Sequence, residues 1–135
     1  MGKSPLLGYT YANMYRGWEF TIRQLTGFSG PEDTNQRMKF MLAHGATGIN
    51  IVFDPPTIQM HDSYDPISGG QVGMLGVAID SVENIDLLFK NMPLDKVTVS
   101  LVTHYLSNIA ILFLMYLVAE RRGMPWDKLT WQCAE

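Results

Sequence analysis

The sequence predicts an α/β chain, on three observations. Two short runs, "GINIVF" at residues 48–53 and "KVTVSLV" at residues 96–102, are β-branched and apolar enough for strands buried on both faces. Segments with apolar residues at helical spacing lie between and after them. One of these, residues 106–122, is apolar all round and needs cover from more than one neighbour.

The elements follow in order. Residues 1–30, rich in Tyr, Gly and Trp, carry too few apolar positions at helical spacing for a helix and read as an extended arm. Residues 33–44 form a helix: Met38, Met41 and Leu42 share a face, Pro31 suits the first turn and Gly45 marks the stop. The strand at 48–53 ends at Asp54-Pro55-Pro56 and feeds a loop from 55 to 76. That loop is long for a connector, which points to function. A helix spans roughly 81–91, opened by Asp80 or Ser81 with Glu83 in its first turn. The strand at 96–102 and the apolar helix at 106–122, stopped by Gly123, come next, and "LTWQC" at 129–133 starts a third strand.

Strands alternating with helices imply right-handed parallel crossovers. The spacing fits an open doubly wound sheet or the first βα units of a (β/α)8 barrel. Three strands do not close a barrel, which takes ~250 residues. The expectation is an incomplete barrel, with residues 1–30 as its arm and 31–135 as about three strands.

Composition narrows the function. Of 135 residues, 47% are hydrophobic and 17% charged. The charged share is below the ~25% usual for soluble domains, so much of the surface is built to be covered. A net charge of −3 argues against nucleic acid or an anionic membrane as partner. The single cysteine, Cys133, excludes an internal disulfide framework, lacks nearby partners for zinc and fits a reducing, cytoplasmic compartment. "MGKSPLLGYTY" has no apolar core for a signal peptide. The longest apolar run, residues 109–119, falls short of the ~20 residues that span a bilayer.

Several stretches invite a site. "GGQVGMLG" at 69–76 lacks the order of a dinucleotide fingerprint, and no Gly-Lys-Ser/Thr supports a P-loop. Close backbone approach to a large flat ligand and plain loop flexibility both fit it. His61-Asp62 has the chemistry of an acid–base or metal pair but no third ligand at useful spacing. His44 suits a helix C-terminus. His104 stands at the C-terminal end of a strand, where barrel enzymes place their sites. Strand parity says more. Thr98, Ser100 and Val102 point opposite to Val99 and Leu101, and Asn50 opposite to Ile49 and Ile51. Barrel interiors are normally packed with bulky branched residues, so small polar ones suggest a polar-lined lumen; edge effects or water explain them equally well.

The chain also resembles a known family, the large, substrate-binding subunit or domain of adenosylcobalamin-dependent acyl-CoA mutases, the methylmalonyl-CoA mutase family. "YANMY" at 11–15 and "FTIRQLTGFS" at 20–29 match the family's "Y-A-T-M-Y" and "W-T-I-R-Q-Y-A-G-F-S". "GQVGMLGVAIDSVE" at 70–83 and "FKNMPLDKVTVS" at 89–100 match two further motifs in the same order. The resemblance runs over about residues 9–130. It implies a (β/α)8 barrel whose lumen admits the coenzyme A chain, with the arm lying against that chain. It places Tyr11, Asn13, Met14, Thr21, Arg23, Gln24, Leu25, Asn50 and Ser100 at the acyl-CoA site. Arg23 suits it, because a guanidinium can clamp a carboxylate or phosphate through two parallel hydrogen bonds. Phe53, Pro55 and Leu75 fall where the family meets the corrin. The reaction implied is a radical carbon-skeleton isomerisation, for which the cofactor carries the chemistry. A catalytic His on a later strand and a cobalamin-binding subunit or domain are implied outside these residues, and no metal ligand within them.

The departures bear on specificity. The Tyr after "TIRQ" in methylmalonyl-type enzymes is Leu25 here, which predicts an acyl group other than methylmalonyl. Trp18 replaces an Arg, Asn13 and Val102 replace Thr, His104 replaces Asn, and Asn50 stands where Ser is usual. "DPPTIQMHDSYD" at 54–65 departs from the family loop, and "WQCAE" at 131–135 from the family's "G-T-I-Q-N-D". Two alternatives stay open: a non-catalytic relative that binds acyl-CoA or a partner subunit, and an unrelated barrel enzyme using His61-Asp62.

Overall fold

A computed structural model describes Arg16 and residues 20–134, with the side chains of 133 and 134 left aside. Tyr11, Asn13, Met14 and Trp18 therefore lie outside the described residues.

Four parallel strands form one sheet in the order of the chain: β1 (Leu25–Thr26), β2 (Gly48–Val52), β3 (Thr98–Val102) and β4 (Trp131–Ala134). Three strands are expected from the sequence, and the addition is β1, at the end of the stretch read as an arm. Two residues ahead of a glycine are too short for periodicity to show. Pairing with β2, Leu25 opposite Asn50 and Thr26 opposite Ile51, is what makes the segment a strand.

The helices follow their caps. α1 (Pro31–Ala43) begins with Pro31 at its first turn beside Glu32 and Asp33, where acidic groups favour the helix dipole. It buries Thr34, Met38 and Met41. Asn35 Nδ2 donates to the carbonyls of Leu88 and Lys90, at 2.7 and 3.1 Å, fastening α1 to the end of α3. α3 (Val82–Leu88) is shorter than the predicted 81–91. A Ser81–Asn84 capping box opens it, and left-handed Asn91 with Pro93 beyond ends the run. α4 (Tyr105–Arg121) matches the predicted apolar helix. Arg122 clamps it to α3, reaching Asp86 Oδ1 at 2.6 Å and the Phe89 carbonyl at 2.9 Å. The segment expected as a loop from 55 holds α2 (Pro55–Gln59), whose N-cap Asp54 accepts from the Thr57 amide, and a 3₁₀ turn at Pro66–Ser68. Prolines that read as breakers are first-turn residues here.

The core lies between the helices and one face of the sheet: Ile49, Ile51, Phe53, Val99 and Leu101 pack with Met38, Ile85, Leu88, Ile111 and Met115. α1 packs on α3 and α3 on α4. Four neighbouring strands in chain order, with no reversal, set aside the doubly wound alternative, whose strand order turns back at a switch point. The arrangement is that of the first βα units of a (β/α)8 barrel wall. Among the described residues, no helix is long and apolar enough to cross a membrane.

Candidate functional site: the inner face of the sheet

In a barrel wall the face away from the helices lines the lumen. Strand register sets out that face in rows. Gly48 lies beside Thr98 at the N-terminal end; Leu25, Asn50, Ser100 and Gln132 form a row across all four strands; Val52 and Val102 sit above. Parity along the arm extends it, since alternate residues of an extended chain share a face. Thr21, Arg23 and Leu25 fall on the inner face, and Ile22 and Gln24 on the outer.

Arg23 spans the lower row. Its Nη2 donates to Thr98 Oγ1 at 2.8 Å and its Nη1 to Gln132 Oε1 at 3.1 Å. Gly48 makes room for it: a Cβ there would stand 2.6 Å from Thr21 Cγ2 and 2.8 Å from Arg23 Nε. Both acceptors are neutral, and no carboxylate among the described residues pairs with Arg23. A fixed, half-buried cation without a counter-charge attracts ligand oxygens. Arg23 Nε, a donor, and Asn50 Oδ1, an acceptor, are both buried without a partner on this face. Buried polar atoms rarely stay unsatisfied, yet Thr26 Oγ1, Asn108 Oδ1 and Trp131 Nε1 share this state away from the face, so the uncompensated charge of Arg23 is what distinguishes the site. Ser100 lies beside Asn50 in the register, itself buried.

The structure thus brings together Thr21, Arg23, Leu25, Asn50 and Ser100. Gln24 stands apart, lining a cavity of about 560 Å³ against Arg37, Phe40 and His44 of α1. Sequence reasoning missed Gln132 as a site residue; its alternation with Trp131 and Cys133 was the available signal.

The C-terminal rim is built by Asp54, which is fully buried. Oδ1 caps α2 through the Thr57 amide at 3.0 Å, and Oδ2 accepts from the Gly73 amide at 2.7 Å. Ser29 N–H donates to the Gly73 carbonyl at 2.8 Å. Gly73 takes φ +69° with its Cα against the Ser29 backbone, so a side chain there is excluded on both counts. The glycine-rich segment is therefore pinned over the ends of β1 and β2, presenting Met74 and Leu75, the latter 75% exposed. Leu75 and half-buried Pro55 expose apolar surface on this rim. Phe53, at the end of β2, has its ring 1% exposed in the core.

The histidines stand outside this site. His61 Nδ1 approaches Asp65 at 4.0 Å rather than Asp62, whose Oδ1 accepts the Tyr64 amide in a turn. His44 Nδ1 lies 2.8 Å from the Phe40 carbonyl, and His104 precedes α4 with its ring against Tyr105. No cluster of three or more His, Cys, Asp or Glu among the described residues could hold a metal ion.

Comparison with known proteins agrees with the fold. The family model described as methylmalonyl-CoA mutase matches residues 1–133. The 2-hydroxyisobutanoyl-CoA mutase large subunit of Aquincola tertiaricarbonis is 40% identical over 130 residues, 96% of this chain and 23% of that protein. The methylmalonyl-CoA mutase large subunit of Streptomyces virginiae is 41% identical over 128 residues, 95% of this chain and 17% of that protein. The mitochondrial methylmalonyl-CoA mutase of Homo sapiens is 38% identical over 129 residues, 96% of this chain and 17% of that protein. The chain thus spans about a fifth of the length of the curated relatives it matches. By the family model over nearly its whole length, the chain belongs to the methylmalonyl-CoA mutase family.

Proposed function

We propose that this chain supplies the acyl-CoA-binding arm and the first strands of a cobalamin-dependent acyl-CoA mutase, an isomerase acting in the cytoplasm. The observation that carries the reading is Arg23, laid across a polar inner face by neutral acceptors, its charge balanced by no carboxylate among the described residues. A coenzyme A chain running up the lumen offers amide and phosphate oxygens to such a donor. Arg23 lies at the N-terminal end of the sheet, so it meets the pantetheine or phosphate part and not the acyl group. Leu25, one row higher and open to the lumen, faces the acyl side. With Leu in place of a phenol, the preferred substrate is an acyl-CoA other than methylmalonyl-CoA.

Adenosylcobalamin, bound mainly by a partner subunit or domain, supplies the radical rearrangement chemistry when present. Pro55 and Leu75 would cover part of its face, and the pinned segment carrying Leu75 would help keep water from the reacting centre. Neither step calls on His61-Asp62, whose two side chains are not paired with one another.

Calorimetric titration of the full chain with coenzyme A tests the binding half of this reading. Binding is expected, weakened at least tenfold by Arg23→Met, in line with the ~1.5–3 kcal/mol of a hydrogen bond to a charged group. A folded chain that shows no affinity for coenzyme A overturns it.

A further inference from the structure

Arg23 is held from a strand that departs from the family motif. Gln132 comes from the "WQCAE" stretch, 109 positions away along the chain, yet its Oε1 accepts from Arg23 Nη1 at 3.1 Å. We infer that Gln132 is a positioning residue: with Thr98 it fixes the plane of the Arg23 guanidinium and holds its uncancelled charge on the inner face for an anionic ligand oxygen. The inference rests on the acyl-CoA reading for the identity of that ligand.

Three features carry it. An arginine side chain is long and loses considerable entropy when ordered, so a single anchor leaves the head group mobile. Two anchors on different nitrogens, Nη1 on Gln132 and Nη2 on Thr98, define a plane. Nε is buried against Gly48 with no hydrogen-bond partner among the described residues, so its exchange with water reports how firmly the head group is held. The anchors are also neutral. A carboxylate at either place would fix the head group equally well while cancelling the charge that attracts an anionic ligand. Gln132 is exposed, so it serves no packing role that its replacement would confound.

Two variants of the full chain separate position from charge. Gln132→Leu keeps the bulk and removes the acceptor; Gln132→Glu keeps an acceptor and adds the counter-charge. The first readout is the Arg23 Nε–H resonance and its exchange with water, measured without ligand. The second is affinity for coenzyme A. Gln132→Leu is expected to speed Nε–H exchange several-fold and to weaken binding about tenfold. Gln132→Glu is expected to keep slow exchange and still weaken binding. An Nε–H exchange rate unaltered in Gln132→Leu overturns the inference, whatever coenzyme A does. So does faster exchange with affinity within twofold of the unaltered chain. Failure of the unaltered chain to bind coenzyme A overturns the acyl-CoA reading instead, and the exchange rate still decides whether Gln132 holds Arg23.

Discussion

At the scale of single residues, Leu25 decides the most. It stands in the row with Asn50, Ser100 and Gln132, 65% exposed on the inner face. A phenol at this position offers a hydrogen bond to a carboxylate-bearing acyl group; leucine offers volume and apolar surface only. Sites built around a hydrogen bond reject analogues that lack it by ~10⁴ in favourable cases, whereas apolar pockets discriminate by roughly 10–200-fold per methylene. With the remaining subunits and cofactor supplied, turnover on a panel of acyl-CoAs is expected to favour a branched or longer acyl group. Leu25→Tyr is expected to move preference toward methylmalonyl-CoA. Methylmalonyl-CoA as the best substrate of the unaltered protein would refute this. At this scale the resemblance named Thr21, Arg23, Gln24 and Leu25 together, and alternation along the extended segment separates Gln24 from the other three. Gln132 was not legible, since no local pattern announces a partner so far along the chain. Strand parity buries the Phe53 ring with Ile49 and Ile51.

Elements were legible where packing and propensity agree. β2 and β3 are apolar on the helix side in strict alternation, and α1 carries a proline start and a glycine stop. β1 and α2 escaped notice because tertiary bonds define them: pairing with β2 for one, the Asp54 cap for the other. Asp54 joins two elements, so its removal has separable effects. Asp54→Asn keeps an oxygen to cap α2 but turns a donor toward the Gly73 amide, setting two donors face to face. The expected result is a native-like α2 with a loosened segment 69–76, read as faster hydrogen exchange at Gly73 and quicker proteolysis there. Asp54→Ala loses both bonds and is expected to cost ~2–4 kcal/mol, combining a lost cap with a lost hydrogen bond to a charged acceptor. Equal exchange at Gly73 in Asp54→Asn and the unaltered chain would show that Ser29 alone pins the segment.

For the whole molecule, the four-stranded wall leaves large apolar and polar surfaces uncovered among the described residues. β1 and β4 each have one unpaired edge in the sheet. α4 adds an apolar outer face, with Ile109, Phe113 and Leu117 at 56%, 66% and 46% exposure. These residues lie four apart, so they form one stripe along the helix. Open edges template pairing with other chains, and contiguous apolar stripes are rarely left to water. The two effects differ in kind: edges pair through backbone bonds that no single side chain abolishes, while the stripe acts through apolar area alone. The chain on its own is therefore expected to self-associate, with a sedimentation coefficient that rises with concentration. Phe113→Lys is expected to reduce that association partly, and to leave the thermal midpoint nearly unchanged because the side chain is already exposed. Proline placed in the outer edge of β1 at Leu25, where the backbone N–H has no role in the core, is expected to reduce the remainder. A monodisperse monomer with a cooperative melt at all concentrations would show instead that these edges and the stripe are tolerated by water, and that the wall is stable without further strands.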